Sequence, residues 1–382
     1  MAEPDFYLSE EQRELKRALR DFVSKEIAPI AAKCDAEERY PLEIFPKLGK
    51  LGYLGLRFPE EVGGSGGSNL DYAILCEEIA YGSGGIALGI YVHMALACAA
   101  LEAFGSQELK EAWLPPALRG ERIGAWAFAE AGAGSDAGSI ATRAVADGDS
   151  YVLNGSKLFI TNGPIADFLV VVASTAPEQR LKGLSLFLVE SDRPGFRVAA
   201  SLSKLGVRAS EMAELVFEDC RVPAGNLVGR LHRGFLDSLA TLTLGRIASA
   251  AFAVGVARAA YEATLAHAGT RVQFGQPIGS FQAVRFGITD MAVQIEAARL
   301  LCHRAAMAAD RGLPHSREAS MAKLYATEAC TRVVERALHY HGAVGFMSDS
   351  PIQRYYRDCK VFELGEGSSE LQRNMIAREL GL

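Results

Sequence analysis

The sequence predicts an α+β fold that is mainly α-helical and has three parts. Residues 1–122 and 233–382 carry apolar side chains at helical spacing, whereas residues 123–232 contain short runs of β-branched and aromatic residues separated by turns. At 382 residues the chain is also too long for one ordinary hydrophobic core. We therefore predict an N-terminal helical domain, a middle β-sandwich or barrel, and a C-terminal four-helix bundle.

The N-terminal domain is predicted to begin with a capped helix. Ser9 and Gln12 have the spacing of a capping box, and apolar residues follow at helical spacing until Pro29, which is expected to end or kink the helix. The apolar run 86–101 is shorter than the ~20 residues that a membrane helix needs and contains His93, so it predicts a buried helix. Helical patterns cover residues 41–51, 70–81, 86–104 and 107–119.

The middle domain is predicted to consist of short strands. Asn154-Gly155 between two apolar runs predicts a hairpin with a type I′ turn. A region of about 100 residues with many strands and short turns is typical of a small sandwich or barrel. The predicted strands cover residues 123–129, 151–153, 156–161, 169–174, 184–190, 196–202 and 215–222.

Long helices are predicted for the C-terminal domain. Residues 235–268, 281–311 and 316–342 are rich in alanine and strongly periodic. Small residues let long helices pack closely, so the short links between these helices predict an antiparallel bundle. Ser369 and Gln372 have the spacing of a capping box, which predicts a last helix with Ser369 as its N-cap.

Glu366 is the main candidate for a catalytic residue. It has a glycine on each side and lies on a short turn just before the last predicted helix. Glycine permits unusual backbone conformations and close approach to a ligand, so a carboxylate at this position can serve as a general base in a cleft. An acidic residue near a helix N-terminus is also favoured by the helix dipole, and the residues alone do not separate these two interpretations.

Composition limits the other classes of function. A net charge of −6 and a pI of about 5.8 argue against nucleic-acid binding, which favours a basic face. Seven scattered cysteines without a C-x-x-C pair indicate reduced thiols and no metal site. His339 and His341 point in different directions on a helix, so they predict no shared metal. Residues 1–11 show no targeting peptide, and we expect a cytoplasmic protein without a membrane span.

The C-terminal segment resembles a motif of the acyl-CoA dehydrogenase family. Residues 356–373 contain Y-R-D-C-K followed by E-G-S and Q-R, and in the family the glutamate of this motif is the catalytic base. Five motifs follow one another in the family's order along nearly the whole chain. The resemblance implies the family's three-domain fold and an FAD-dependent dehydrogenation, in which Glu366 removes the α-proton of an acyl thioester and flavin N5 accepts a hydride. Burial is expected to raise the pKa of Glu366.

Two stretches of the middle domain resemble the family's flavin motifs. A-E-A-G-A-G-S-D at residues 129–136 is similar to T-E-P-G-A-G-S-D, with Ala129 in place of a threonine that bonds the flavin. N-G-S-K-L-F-I-T-N-G at residues 154–163 is similar to a motif whose aromatic residue lies along the flavin and whose threonine reaches N5. Without the family, residues 129–136 are an anion-binding turn or a plain surface turn, and residues 154–163 are better explained as a hairpin with one face buried. The FAD-binding residues implied here are Phe128, Ala129, Gly134, Ser135, Phe159, Ile160 and Thr161.

Two stretches of the C-terminal domain resemble family motifs that contact FAD at a subunit interface. R-V-Q-F-G-Q-P-I at residues 271–278 supplies an arginine that can donate two hydrogen bonds to a pyrophosphate. H-Y-H-G-A-V-G-F at residues 339–346 has His339 where the family has glutamine. Without the family resemblance, residues 271–278 are a charged loop between helices and His339 is an ordinary core or surface histidine. The resemblance implies a homo-oligomer, a tetramer, with FAD contacts from Arg271, Phe274, Gln282, His339, Gly342 and Ser368.

Departures from the family pattern bear on the substrate. Gly245 precedes Arg246 at a position where some members carry their glutamate, and Thr243 replaces an aspartate associated with the pantetheine arm. Gly365 replaces a tyrosine of straight-chain members, which implies a short, branched or cyclic acyl group. Residues 87–100 contain no arginine or lysine for a dicarboxylic chain. The implied substrate-binding residues are Ser135, Thr243, Arg246, Gly365 and Gly367.

Several alternatives stay open at this stage. Thr243 is compatible with an acyl group on a carrier protein instead of CoA. A flavin monooxygenase of the same fold, or a thioester-binding protein without catalysis, would make no use of Glu366. The resemblance also implies an electron-transfer flavoprotein as acceptor. K-L-G-V-R-A-S at residues 204–210 matches a family signature to which we assign no catalytic role.

Overall fold

The computed structural model describes residues 6–382, and its N-terminal part is helical. The first five residues, part of the acidic terminus that shows no targeting peptide, lie outside the described residues. Helix α1 begins as predicted, because Ser9 Oγ accepts a hydrogen bond from Gln12 N and the Gln12 side chain accepts one from Ser9 N. The helices are α1 Glu10–Phe22, α2 Ala28–Glu37, α3 Ile44–Lys50, α4 Asn69–Gly82, α5 Gly84–Tyr91, α6 Ala99–Phe104 and α7 Gln107–Leu118.

Two π-helical segments interrupt this part of the chain. Pro29, predicted to end or kink the first helix, lies at the start of α2, where a missing N–H is tolerated. The interruption comes earlier, at the π-helical Val23–Ile27. A second π-helical segment, Val92–Cys98, joins α5 to α6 into one helix of 21 residues. Its most apolar window lies entirely inside the protein, in agreement with the predicted buried helix.

Eight strands form one connected, mixed sheet in the middle of the chain. The strand order is β6-β7-β3-β2-β4-β5-β8, and β1 pairs in parallel with β4. A separate hydrophobic core lies on this sheet, next to the larger core shared by the helices. The strands are β1 Gly124–Ala127, β2 Arg143–Asp147, β3 Ser150–Thr161, β4 Phe168–Ser174, β5 Leu184–Glu190, β6 Phe196–Ser201, β7 Met212–Pro223 and β8 Leu227–Val228.

The hairpin predicted at Asn154-Gly155 is wrong. Strand β3 continues through both residues, and its pairing with β7 is irregular there. Asn154 exchanges two hydrogen bonds with Asp219 of β7, so its amide serves a cross-strand contact instead of a turn. The true hairpin joins β2 to β3, where Asp147 pairs with Ser150. Strand β2 escapes prediction because R-A-V-A-D has low β-propensity.

The C-terminal part is a helical bundle with one small hairpin. The three long helices agree with the prediction, whereas α12, rich in charged and polar residues, was not predicted as a helix. Helix α8 is also apolar enough to span a bilayer by composition, yet 72% of its most apolar window is buried inside the protein. The elements are α8 Gly234–Thr270, β9 Val272–Gln273, β10 Gln276–Pro277, α9 Gln282–Asp310, α10 Ser316–His341, α11 Ala343–Phe346, α12 Pro351–Leu364 and α13 Ser369–Glu379.

The capping box predicted at Ser369 and Gln372 is wrong by one residue. Ser368 is the N-cap of α13, and its Oγ accepts a hydrogen bond from Leu371 N. Gln372 Nε2 instead donates to the carbonyl oxygen of Glu366 at 2.9 Å. The glutamine side chain therefore fixes the turn before the helix and not the helix end itself.

Two buried contacts hold the parts of the chain together. Arg258 of α8 and Arg299 of α9 both bind the carboxylate of Glu77 on α4, at 2.6 Å and 3.0 Å. The 204–210 signature meets α12, because Val207 N donates to the buried carboxylate of Asp358. These contacts fix α8 and α12, which carry the candidate site, against the rest of the molecule.

Candidate active site

Glu366 lies on a tight turn between α12 and α13. Its own backbone is left-handed, with φ 58°, and Gly367 follows with φ 88°. The unusual conformation therefore falls on the glutamate itself, whereas Gly365 has an ordinary φ of −67°. Such a conformation is unfavourable for a residue with a side chain and persists where surrounding contacts hold it.

Lys323 of α10 is one of these contacts, and the sequence does not reveal it. Its fully buried side chain donates to the carbonyl oxygens of Glu363 at 3.0 Å and Gly367 at 2.8 Å, on the two sides of Glu366. Burial lowers the pKa of Lys323 to about 8, against the raising effect of the Glu366 and Glu363 charges. Lys323 has the helical spacing of the apolar residues Ala319, Ala326 and Cys330, and a lysine on this face is the one sequence signal that could have indicated the role.

The Glu366 carboxyl group is buried although the turn itself is partly exposed. Burial raises its pKa above the ordinary value, as expected from the sequence, while Tyr91, Arg246 and Lys323 act in the opposite direction. Within residues 6–382, Oε2 has no hydrogen-bond partner. A buried carboxyl oxygen without a partner is rare in proteins and marks a position where a ligand or a reaction is expected.

Gly245 of α8 faces this carboxyl group. A Cβ atom on Gly245 would lie 2.9 Å from Glu366 Oε2 and 2.7 Å from Tyr91 Oη. Arg246 follows on the same helix and is 3% exposed. Tyr91 Oη and Arg246 Nε are also buried without partners among the described residues. Two unpaired polar groups, from α5 and the α12–α13 turn, therefore converge at one glycine, and both interact electrostatically with the buried Arg246.

The other residues predicted to bind substrate lie around this cluster. Thr243 is one turn before Arg246 and half-buried, and its Oγ1 donates to Leu239 O at 2.9 Å. Gly365 is exposed, and a Cβ atom there would contact only Val361 O, at 3.4 Å. The structure therefore has room for a side chain at position 365, next to Glu366.

The two middle-domain motifs are joined directly. Leu158 N donates to Ala129 O at 2.9 Å, and Lys157 Nζ donates to Phe128 O at 3.0 Å. Lys157 also forms a buried ion pair of 2.7 Å with Glu130, whose carboxylate accepts from two further backbone N–H groups. This pair was not predicted from the sequence, although two opposite charges within largely uncharged motifs were a signal for it.

The surface formed by these motifs fits a flat aromatic cofactor. Phe159 has φ 63° and is 60% exposed, whereas its neighbours Ile160 and Thr161 are buried. Cβ atoms on Gly132 or Gly134 would meet nothing within 4 Å, so the turn before Ser135 is open to a ligand. An exposed aromatic ring held on an unfavourable backbone beside an open glycine turn is suited to bind an isoalloxazine ring.

The remaining predicted FAD residues lie at one end of the helical bundle. Arg271 and Phe274 are exposed on the β9–β10 hairpin, and Phe274 is 94% exposed. Gln282 begins α9, and His339 and Gly342 end α10. His341 stacks on His267 with ring centroids 4.3 Å apart, which joins this end of α10 to α8. Ser368 lies instead beside Glu366.

Three family models match the chain in succession. They are described as the N-terminal, middle and C-terminal domains of acyl-CoA dehydrogenase and match residues 9–121, 125–220 and 232–381. The chain belongs to the acyl-CoA dehydrogenase family. This family is enzymatic, and its members are flavoprotein oxidoreductases that act on acyl-CoA.

Curated relatives of the acyl-CoA dehydrogenase family match almost the full length. A probable acyl-CoA dehydrogenase of Bacillus subtilis (YngJ) is 43% identical over 98% of this chain and 99% of its own length. The human mitochondrial short-chain specific acyl-CoA dehydrogenase is 42% identical over 98% of this chain and 90% of its own length.

Solved structures of the family superimpose closely. Butyryl-CoA dehydrogenase from Megasphaera elsdenii matches with a TM-score of 0.96 and 36% identity, over 98% and 99% of the two chains. A chain in the structure of the electron transferring flavoprotein of Acidaminococcus fermentans matches with a TM-score of 0.96 and 39% identity, over 98% of both chains. The prolyl acyl carrier protein oxidase AnaB matches with a TM-score of 0.95 and 32% identity, over 98% of this chain and 100% of its own.

Proposed function

We propose that the protein is an FAD-dependent dehydrogenase that introduces an α,β double bond into a short, branched or cyclic acyl-CoA, with Glu366 as the base. The observation that carries this proposal is the buried, unpaired Glu366 carboxyl group facing Gly245. Gly245 occupies the position where some members of the family place their catalytic glutamate. Both positions for a base therefore meet at one point, and only Glu366 supplies a carboxylate there.

The surroundings of Glu366 suit proton abstraction. A base is most effective when its pKa is raised towards the working pH, and burial acts in this direction. The Arg246 and Lys323 charges oppose full neutralisation, so the carboxylate can still form. Glu366 would take the proton from the α-carbon, and the thioester carbonyl would accept a hydrogen bond from the backbone of the turn.

The bound FAD would supply the acceptor for the hydride that leaves the β-carbon. On the protein side, Phe159 would lie along the flavin ring, and the Thr161 hydroxyl would orient it. The Glu130–Lys157 pair would keep the 129–136 turn in place. Arg271, Phe274, Gln282, His339 and Gly342 face solvent in one chain, which supports the proposal that they bind the FAD of a neighbouring copy in a tetramer.

The acyl group is proposed to be short, branched or cyclic. The free space at Gly365 supports a wide substrate pocket. The aromatic rings of Tyr91 and Phe252, which are in edge-to-face contact with centroids 5.4 Å apart, support a shallow pocket. The human relative is named for short chains, and the Megasphaera elsdenii enzyme for butyryl-CoA. An electron-transfer flavoprotein is the proposed acceptor, supported by the Acidaminococcus fermentans structure.

A second candidate is the same reaction on an acyl group attached to a carrier protein. Thr243 supports it, because a threonine replaces the aspartate associated with the pantetheine arm. AnaB, named as a prolyl acyl carrier protein oxidase, also matches nearly the whole chain. The two candidates differ in the carrier of the thioester and not in the chemistry.

Anaerobic titration tests both candidates. The purified protein is mixed with short, branched, cyclic and aromatic acyl-CoAs, and with the same acyl groups on a carrier protein, while the flavin absorbance is recorded. Bleaching by an acyl-CoA supports the main proposal and identifies the acyl class. Bleaching by carrier-bound thioesters alone supports the second candidate. A yellow protein that no thioester bleaches contradicts both.

A further inference from the structure

We propose that Tyr91 is a positioning residue that donates its phenolic hydrogen to the Glu366 carboxylate. This role rests on the proposed function of Glu366. The motifs of the sequence do not include Tyr91, which lies in the apolar helix α5. The inference follows from two unpaired atoms, a buried hydroxyl donor and a buried carboxyl acceptor, that face the same glycine.

The geometry places the two groups next to each other. Tyr91 Oη lies 2.7 Å, and Glu366 Oε2 2.9 Å, from the point that a Cβ atom on Gly245 would occupy. Neither atom has another hydrogen-bond partner among the described residues. An unpaired buried polar atom lowers stability, and pairing the two would remove the penalty for both. Because both atoms lie within 3 Å of the same point, a change of the glutamate rotamer would bring them into hydrogen-bond contact.

The tyrosine ring is held firmly, so its hydroxyl has a defined direction. Tyr91 is 4% exposed and contacts Phe252 of α8 edge to face, with ring centroids 5.4 Å apart. Phe252 in turn stacks on Phe362 of α12 at 6.3 Å. Because α12 leads directly into the Glu366 turn, this row of rings fixes the hydroxyl relative to the base.

Of the three groups that act on Glu366, Tyr91 is the neutral donor, whereas Arg246 and Lys323 act through their charges. Arg246 and Lys323 are the cations that face Glu366, and Lys323 already donates to two carbonyl oxygens. Burial, followed by the Glu366 charge, raises the pKa of Tyr91, while Tyr72 and Cys76 of α4 add smaller effects. The phenol therefore keeps its proton at every pH at which the carboxyl titrates.

A hydrogen bond to the ionised carboxylate lowers the pKa of Glu366 against the effect of burial. The bond would also restrict the carboxylate to one orientation before the substrate arrives. Tyr91 would thus balance two needs of a base, because it limits the rise of the pKa and it fixes the oxygen that takes the proton.

The test measures the Glu366 carboxyl directly. Infrared difference spectra of the substrate-free flavin-loaded protein are recorded against pH, and the signal absent in Glu366→Gln is assigned to Glu366. Tyr91→Phe keeps the ring and removes the hydroxyl. Tyr72→Phe is the matched control, because Tyr72 Oη is equally buried and unpaired but is not among the groups acting on Glu366.

We expect Tyr91→Phe to move the carboxyl midpoint upward by about one pH unit, and Tyr72→Phe to leave it in place. The acid limb of the kcat profile should move with it. An unchanged midpoint in Tyr91→Phe, or an equal shift in Tyr72→Phe, overturns the proposal. Normal turnover of Glu366→Gln would instead overturn the role of Glu366 as base, and a carboxyl shift in Tyr91→Phe would still establish the contact.

Discussion

Lys323 Nζ donates a 2.8 Å hydrogen bond to the carbonyl oxygen of Gly367. The bond joins the middle of α10 to the turn that carries Glu366, 44 residues further along the chain. Together with the bond to Glu363 O, it lets one buried cation hold the backbone on both sides of the proposed base. The position of the carboxyl group therefore depends on a residue outside the motif that identifies it.

Replacing Lys323 by methionine should loosen the Glu366 turn. Two backbone carbonyls lose their donor, which should lower the free energy of unfolding by about 2 kcal/mol, and a misplaced base should reduce kcat at least about tenfold. Urea unfolding and steady-state kinetics measure the two effects. Lys204→Met is the matched control, because Lys204 donates to a carbonyl, Ser210 O, but not to this turn. Equal losses of kcat in both variants would contradict this role.

Gly245→Ala should damage catalysis more than stability. The new methyl group would lie 2.7 Å from Tyr91 Oη and 2.9 Å from Glu366 Oε2, so both groups must move from their positions. We expect kcat to fall about tenfold or more. Gly269→Ala in the same helix meets open space and should be neutral or stabilise by up to about 1 kcal/mol. Full activity of Gly245→Ala would show that the cluster around Gly245 does not take part in turnover.

Glu366→Gln should keep its flavin and lose at least ~10²-fold in kcat, the low end for removal of a general base. The amide keeps the size of the side chain but cannot accept the α-proton. Flavin content is read from the absorbance ratio and turnover from a dye-linked assay. Glu363→Gln, three residues earlier and bonded to Thr331 and Lys360, should retain most activity. Near-normal turnover of Glu366→Gln would exclude it as the base.

Arg271→Ala should weaken the retention of FAD. An exposed guanidinium group at this position suits a pyrophosphate, and its removal should increase the fraction of protein purified without flavin. Flavin per chain is measured after gel filtration at a series of salt concentrations. Arg311→Ala is the control, since Arg311 is also exposed beside a helix end. A variant with full flavin content would remove Arg271 from the proposed site.

His93 should make stability depend on pH below neutrality. Its Nδ1 accepts from Gly124 N at 3.0 Å and Nε2 donates to Ala117 O at 3.1 Å, so the buried ring is neutral. Burial lowers its pKa to about 4, from 6.5 in the unfolded chain. The unfolded chain therefore takes up the proton first. The contribution of His93 is complete above pH 6.5 and is lost as the pH falls towards 4.

Between pH 7 and pH 5 this loss should amount to about 2 kcal/mol in the free energy of unfolding. His93→Gln can keep one of the two hydrogen bonds but has no titrating group. The variant should be less stable at pH 7, and its stability should fall less between pH 7 and pH 5 than that of the unchanged protein. Urea unfolding at both pH values tests this, and parallel losses would show that His93 does not titrate.

The fold could be predicted where one local pattern covers a whole element. Strand β5 has the predicted bounds, Leu184–Glu190, because its apolar run is buried throughout. The prediction fails where distant contacts decide. Asn154-Gly155 has the sequence of a turn, but the pairing with β7 and with Asp219 keeps it in a strand.

In the candidate site, too, local sequence patterns predict some features and distant contacts decide the others. The motif around Glu366 identifies the turn, but its left-handed backbone depends on Lys323 and Gln372, whose side chains reach it from α10 and α13. Tyr91 approaches from α5, where a single tyrosine in an apolar helix carries no motif. Such partners depend on tertiary packing and become visible only with the structure.

The conformation of Glu366 lowers the stability of the fold, whereas the glutamate itself is needed for the proposed activity. A left-handed backbone costs a residue with a side chain roughly 1–2 kcal/mol, and its buried, unpaired oxygen adds to this cost. In a library of variants selected only for heat resistance, replacements at this position should accumulate, and glycine should be the most frequent. The same replacements should disappear from a library selected for growth on the substrate. The glutamate would then persist only in populations that need its chemistry.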